Sequence, residues 1–378
     1  MSQPKVVRFN TKDRPEFFIE LRKRVDQYFK DNNISKYANL NMKLKTAFMI
    51  GLYFIPLGFL LSGIIQTFWS SFAMWILMGL GMSGIGLSIM HDANHGAYSK
   101  NKNVNNALGY LLNFIGGYHI NWRIQHNVLH HSFTNVHGHD EDIEKAILRL
   151  TPDTERKPVH RFQVLYAPVL YSLMTIYWLL SKDFEQLYRY DKKNLLKGQG
   201  KTLRGAILEV AFNKIMYVVL TIVLPFMIVD IPIWQLVVGF LSMHFVCGQI
   251  LALIFQPALV IEGSAFFTTD DTGSVENNWA IHQLLTTTNF GNNARLFSWF
   301  VGGLNYQVEH HLFPNICHVH YRKLSPIVKA TAKEFGIPYH EHKTFFGAVA
   351  SHFKLLYKLG NGQYDIEHQL QTEKKIAA

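Results

Sequence analysis

TAFMIGLYFIPLGFLLSGII, residues 46–65, carries no charge and is long enough to span a hydrocarbon layer of about 30 Å. SSFAMWILMGLGMSGIGLSIM, residues 70–90, is a second such run, and the linker QTFWS leaves room only for a hairpin turn. VAFNKIMYVVLTIVLPFMIV (210–229) and IWQLVVGFLSMHFVCGQILALIF (233–255) repeat the pattern around a tight DIP turn. A backbone in lipid must satisfy its own hydrogen bonds, so runs of this kind are helices. The expected fold is all-α and integral to the membrane, with four transmembrane helices arranged as two hairpins. Two weaker apolar runs, 107–118 and 164–180, are ambiguous and are expected to stay interfacial.

The chain has 37 Lys and Arg against 27 Asp and Glu, a net charge of +10. These cations flank the apolar runs, which favours a membrane surface over nucleic acid as their partner. The hairpin turns are nearly free of basic residues, whereas the N-terminal segment and KDFEQLYRYDKKNLLKGQGKTLR (182–204) are rich in them. The positive-inside rule then places both termini and the central segment in the cytoplasm. Residues 1–378 read as one domain: a cytosolic amphipathic segment (1–45), the four spans, and a cytosolic cap from 91–209 and 256–378. Within the first segment, Phe17, Leu21, Val25, Tyr28 and Phe29 recur at helical spacing. That helix suits a membrane surface and a protein core equally well. The stretches 321–336 and 345–360 read as amphipathic helices that cover the site or form a subunit contact. The two cysteines, Cys247 and Cys317, offer no disulfide framework, and the N-terminus has no signal-peptide core.

Three short motifs gather histidine. HDANH supplies His91 and His95, HNVLHH supplies His126, His130 and His131, and NYQVEHHLFP (305–314) supplies His310 and His311. Positions i and i+4 share a helix face, so His91 pairs with His95 and His126 with His130. Adjacent residues diverge by about 100°, so each HH pair points two ways. Seven imidazoles exceed the needs of one ion, and two metals sharing the HH pairs account for them better. The motifs meet only on one side of the membrane, which requires that 107–118 and 164–180 do not cross. All-imidazole ligation suits zinc, copper, iron or nickel. HDANH has the histidine spacing of a zinc hydrolase motif with Asp in place of Glu, so a membrane zinc hydrolase is a rival reading. It needs three ligands and a water and leaves the other histidines unexplained. A binding protein with structural histidines is a third reading, in which alanine at His310 is harmless.

With these residues the chain resembles the membrane fatty acid desaturases, whose pattern is three histidine boxes around two helical hairpins. The resemblance runs over roughly residues 10–360 and includes WRIQHNVLHHSFTNVHGHDEDIE, WAIHQLLTTTNF and WFVGGLNYQVEHHLFPNICHVHY. Gln307, opening the third box, is similar to the front-end branch, which desaturates between an existing double bond and the carboxyl end. The resemblance implies oxygen-dependent desaturation of a fatty acyl chain, as acyl-CoA or acyl-lipid, at a Δ6 or Δ5 position, with O2 as co-substrate. It also implies a substrate tunnel running from the cap into the membrane domain. It implies two Fe ions on His91, His95, His126, His130, His131, His310 and His311, with His282 as a further candidate ligand one turn after Asn278. Gln307, Asn278, Asn289 and Asp140 become residues that tune or orient ligands, as Glu141 and Asp142 also can. His119, His137, His139, His318 and His320 take supporting or loop roles. Related hydroxylases share this ligand set, so acyl hydroxylation is the alternative outcome. Residues 1–45 are too short for a fused haem domain and no HPGG occurs, so electrons are expected from a separate donor, a ferredoxin or a cytochrome with its reductase.

Overall fold

The structure, a computed structural model, describes residues 7–145 and 147–365. Both chain termini lie outside the described residues. The helices that organise the molecule are α1 (Glu16–Asp31), α2 (Leu40–Leu61), α3 (Phe68–Asn94), α4 (Pro158–Lys192), α5 (Leu203–Ile228), α6 (Ile233–Leu259), α7 (Trp279–Thr286), α8 (Gln307–Leu312), α9 (Tyr321–Glu334) and α10 (Phe345–Asn361). Strand pairing among the described residues is confined to two-residue parallel pairs, Arg8–Phe9 with Ser274–Val275 and Asn289–Phe290 with Glu341–His342.

Helices α2 to α6 are all long and apolar enough to cross a membrane, and the protein is a membrane protein. The sequence reading counted four such helices. The fifth, α4, arises because flanking residues extend the apolar run 164–180 into a continuous helix of 35 residues. Side chains on the outer faces of these helices, including Ile55, Leu208, Phe212 and Trp234, are exposed as a lipid-facing surface requires.

Lipid tails are as apolar as leucine, so helices in a bilayer associate by close packing rather than by a hydrophobic drive. Glycine provides that packing here. A Cβ on Gly81 of α3 would lie 2.6 Å from the backbone nitrogen of Tyr53 in α2. One on Gly79 would lie 2.7 Å from the carbonyl oxygen of Met243 in α6. At the hairpin ends Gln66 joins the two turns, accepting from the Asp230 amide at 2.6 Å and donating to the Gly63 carbonyl at 2.7 Å. Asn39 and Thr67 cap α2 and α3 by accepting from the amides of Met42 and Ser70.

Helix α4 is anchored at both ends by segments outside the hairpins. Near its start, Gln163 accepts from the Arg149 amide at 2.9 Å and donates to the Leu356 carbonyl of α10 at 2.6 Å. His352 of α10 in turn donates to the Val260 carbonyl, just past α6, at 2.6 Å. Near the other end, Asp183 accepts from Asn121 and forms a buried ion pair with Lys214 of α5 at 2.7 Å. Helix α1 packs on the protein body: Phe17, Leu21 and Val25 are buried, and Arg24 makes a bidentate pair with Glu334 of α9 at 2.8 and 2.7 Å.

Candidate metal centre

The three histidine motifs converge at one end of the hairpins. Each is delivered by local backbone geometry. A π-helical turn, Ile85–Ile89, ends two residues before His91 near the end of α3. A longer one, Arg123–His130, carries the second motif. In a π-turn the repeat is i to i+5, and the His131 amide donates to the His126 carbonyl accordingly. The sequence reading paired His126 with His130 on an α-helical face. The two rings do stack, with centroids 5.3 Å apart, and the π-turn brings His131 to His126 as well, with their Nε2 atoms 3.2 Å apart. His130 turns towards His311, ring centroids 4.9 Å apart. The third motif forms α8, every residue of which is buried.

The Nε2 atoms face one another. His91 and His126 are 3.1 Å apart and His131 and His310 are 2.9 Å apart. Two nitrogens bound to one ion at about 2.1 Å are themselves about 3 Å apart, so this spacing could hold a metal. Two groups result, His91 with His95, His126 and His310, and His131 with His310 and His311; potential ligand atoms in each lie within 4.8 Å of one another. His310 belongs to both. The His310 and His311 ring planes stand 89° apart, and both rings lie against His131 in the second group. The buried Nε2 atoms of His95 and His130 and Oε1 of Gln307 have no hydrogen-bond partner, the condition expected of atoms whose partner is an ion.

The outer nitrogens of His130, His310 and His311 are held by neighbours that fix the tautomer. His130 Nδ1 donates to Asp140 at 3.0 Å, His311 Nδ1 to Gln283 Oε1 at 2.8 Å and His310 Nδ1 to the Tyr321 hydroxyl at 3.3 Å. With Nδ1 protonated, Nε2 presents its lone pair inward. Burial, reinforced by the neighbouring imidazoles, holds His126, His131, His310 and His311 well below the ordinary value of 6.5, so they are neutral at pH 7. Burial also works against a charged His130, but the Asp140 carboxylate outweighs it and raises this one. Gln307 lies with its Nε2 3.2 Å from His311 Nε2, inside the cluster.

Residues 67–343 match the family described as fatty acid desaturase. This chain belongs to the fatty acid desaturase family. The desaturase is 34% identical over 346 residues to the sn-1 linoleoyl-lipid 6-desaturase of Arthrospira platensis, covering 91% of this chain and 92% of that one. It is 34% identical to the enzyme of the same name from Synechocystis sp., over 90% of this chain and 94% of that one. It is also 34% identical to an acyl-lipid (8-3)-desaturase of Physcomitrium patens, over 94% of this chain and 74% of that one.

Not every expected residue of the desaturase joins the cluster. His282 lies beside it, but its Nε2 donates to the Thr134 carbonyl at 2.6 Å, and its ring packs between Phe9 and Phe267. Asn278 caps α7 by accepting from the Ala280 amide at 3.0 Å. Asn289 buttresses α8: its side chain accepts from the Val308 amide at 2.9 Å and donates to buried Glu309 at 2.7 Å. Burial pushes Glu309 up to about 7. Asp142 lies 3.6 Å from His130 and accepts from Gln125, whereas Glu141 pairs with Arg189. His137 and His139 lie in a loop, and His119 is held by Asn113.

Sequence reasoning passed over several supports. Gln283 and Thr134 both reach His311, and the Trp279 indole donates to the His131 carbonyl at 3.1 Å. Asp92, inside HDANH, accepts from His318 Nδ1 at 2.8 Å, and Lys45 of α2 donates to His318 Nε2 at 2.8 Å. The Asp in place of Glu is therefore engaged by His318 and ties the first motif to the segment that follows the third. An i+1 position beside a ligand was the available signal for Asp92; nothing local in sequence marks Lys45, 273 residues from His318.

Proposed function

We propose that this desaturase acts as a front-end enzyme on an acyl chain carried by a membrane lipid. It introduces the new double bond at a Δ6 or Δ5 position, on the carboxyl side of an existing one. Two irons would be held by His91, His95, His126, His130, His131, His310 and His311, with Gln307 beside His311. The observation that carries this reading is the sharing of His310 between two imidazole groups, which suits a pair of ions and takes in six of the seven histidines, with His130 grouped beside His126 and Asp142. The acyl-lipid substrate is supported by the names of the relatives at 34% identity, two of which are linoleoyl-lipid 6-desaturases.

When bound, the irons supply oxygen activation. In the overall change two hydrogens leave the acyl chain, and they, two electrons and two protons reduce one O2 to two waters. The chain's own residues orient the imidazoles through Asp140, Gln283 and Tyr321, and burial keeps His126, His131, His310 and His311 neutral. Buried α8 and the packed rings exclude bulk water from the cluster. The electrons come from a separate acidic redox protein, a ferredoxin or cytochrome, drawn to the basic cytoplasmic face.

The topology follows from parity. The three motifs share one site, so the chain crosses an even number of times between His131 and His310. We assign crossings to α2, α3, α5 and α6 and lay α4 along the cytoplasmic interface, where both its ends bond to cap segments. The site and both termini are then cytoplasmic, in agreement with the basic 182–204 segment.

The test is mass spectrometry of fatty acids from a host fed linoleate, expressing the protein or its His310→Ala variant, with metal counts on both. A new double bond on the carboxyl side, lost in the variant, is expected together with two irons per wild-type chain. A hydroxylated chain would assign the related oxygenase reaction, and one zinc would overturn the iron site.

A further inference from the structure

The third histidine motif leads into α9, and this stretch carries one sign of charge. From His310 to Lys333 the chain holds no Asp or Glu, whereas α9 presents Arg322, Lys323, Lys329 and Lys333, all exposed. Lys329 pairs with Glu341 at 2.5 Å, and the other three make no ion pair among the described residues. The loop after α1 adjoins the first turn of α9. The Lys36 carbonyl accepts from the Cys317 amide at 2.9 Å, and the Tyr37 carbonyl accepts from His320 Nε2 at 3.3 Å. Phe29 of α1 meets the His320 ring edge-on, centroids 5.1 Å apart, and Lys30 beside it is exposed. The next residue, Asp31, accepts from Gln27 at 2.5 Å.

What lies beneath this surface ties it to the metal centre. Tyr321, between His320 and Arg322, is 1% exposed, and its hydroxyl accepts from Nδ1 of His310, the imidazole shared by both groups. His318 bonds through Nδ1 to Asp92, the neighbour of His91. An electron crosses protein over short distances only, so its carrier has to dock where the cover over the site is thin. Here the cover is one tyrosine. The basic residues of 182–204 are placed differently. Arg189 and Lys193 lie against Glu141, and the contacts inward run through Gln186, Gln125 and Asp142 before they reach His130.

We propose that the exposed face of α9 around Arg322 and Lys323, with Lys36 beside it, is the docking surface for the one-electron donor, an acidic carrier of the ferredoxin kind. The inference rests on the reading that a separate donor feeds the site. Each encounter oxidises the carrier by one electron. Two encounters supply the two electrons that, with two protons and the two hydrogens of the acyl chain, turn one O2 into two waters. The unpaired cations draw an acidic protein to this face, and salt screens the attraction.

Full-length, metal-loaded protein in phosphatidylcholine nanodiscs would be titrated with oxidised plant-type 2Fe–2S ferredoxin. The neutral lipid removes anionic headgroups as competitors for the cations. Saturable binding that weakens as salt is raised is expected. Reversing both charges, Arg322→Glu with Lys323→Glu, should raise the Kd by about tenfold, whereas Lys192→Glu with Lys197→Glu, at exposed cations of the other basic segment, should change it by less than about twofold. Zero-length carbodiimide coupling of ferredoxin carboxylates to lysine amines should mark Lys323 and Lys36 of the wild-type chain. No saturable binding would overturn the proposal, as would an unchanged Kd in the α9 variant or coupling confined to 182–204. Iron is counted on the same sample. Failure of the iron reading then shows as the wrong metal, and failure of this proposal as two irons with ferredoxin bound elsewhere or not at all.

Discussion

His310 stands where the two imidazole groups overlap, so its loss should be felt by both. His310→Ala is expected to lower bound metal to less than half of the wild-type content, whereas His95→Ala, confined to one group, should leave about one ion. Elemental analysis of the purified proteins separates these outcomes. Asp140 acts one step further out, by orienting His130 and raising its basicity. Asp140→Asn should weaken metal affinity by roughly 10- to 100-fold while leaving the helical content intact, which competition with a chelator would show. The seven ligand candidates were legible because three tight clusters of one residue type are improbable in any other role. Which partner each ring would choose was not legible. The π-turn at Arg123–His130 adds an i+5 neighbour, His131, to the i+4 pair of His126 and His130, and no residue in RIQHNVLH announces that register. Gln283, Thr134 and Lys45 were invisible for a different reason: their work depends on contacts across 28 to 273 residues of chain.

At the level of the helix, hydrophobic length proved a reliable guide to α2, α3, α5 and α6 and an incomplete one for α4. A run of apolar residues says that a helix tolerates lipid, and its direction in the membrane is set by what holds its ends. Single cysteines placed at exposed Val159 and Lys193, in a background where Cys247 and Cys317 are buried, should both react with a membrane-impermeant maleimide from the cytoplasmic side only. Labelling of the two from opposite sides would show that α4 crosses. The Lys214–Asp183 pair fastens this helix to α5. Lys214→Ala leaves a buried carboxylate without its cation, a change expected to cost about 3–5 kcal/mol, read as a clear fall in melting temperature.

The whole molecule carries an unusual number of neutral buried imidazoles, and these make its metal-free stability depend on pH. His126, His131, His310 and His311 lie well below 6.5 in the folded protein, and unfolding returns them to that value. The unfolded chain therefore binds more protons below pH 6.5, and stability falls with pH from there downward. Chelator-treated protein should melt at a lower temperature at pH 5.5 than at pH 7.5, and the difference should shrink in His126→Ala protein. The membrane class and the long apolar helices were readable because each follows from composition over many residues. The glycine contacts and the joining of the two hairpin turns by Gln66 were not, because they depend on which faces meet.

His131 and His310 are 179 residues apart in the chain, yet their ligand atoms are within hydrogen-bonding distance. An ion held by both acts as a staple across nearly half the polypeptide, and closing so long a loop restricts the unfolded chain strongly. Metal supply would then govern how much of this protein a cell keeps as well as how fast it works. A cell short of iron should show a shortened half-life for the polypeptide, with newly made chains cleared by proteolysis before any change in transcript level.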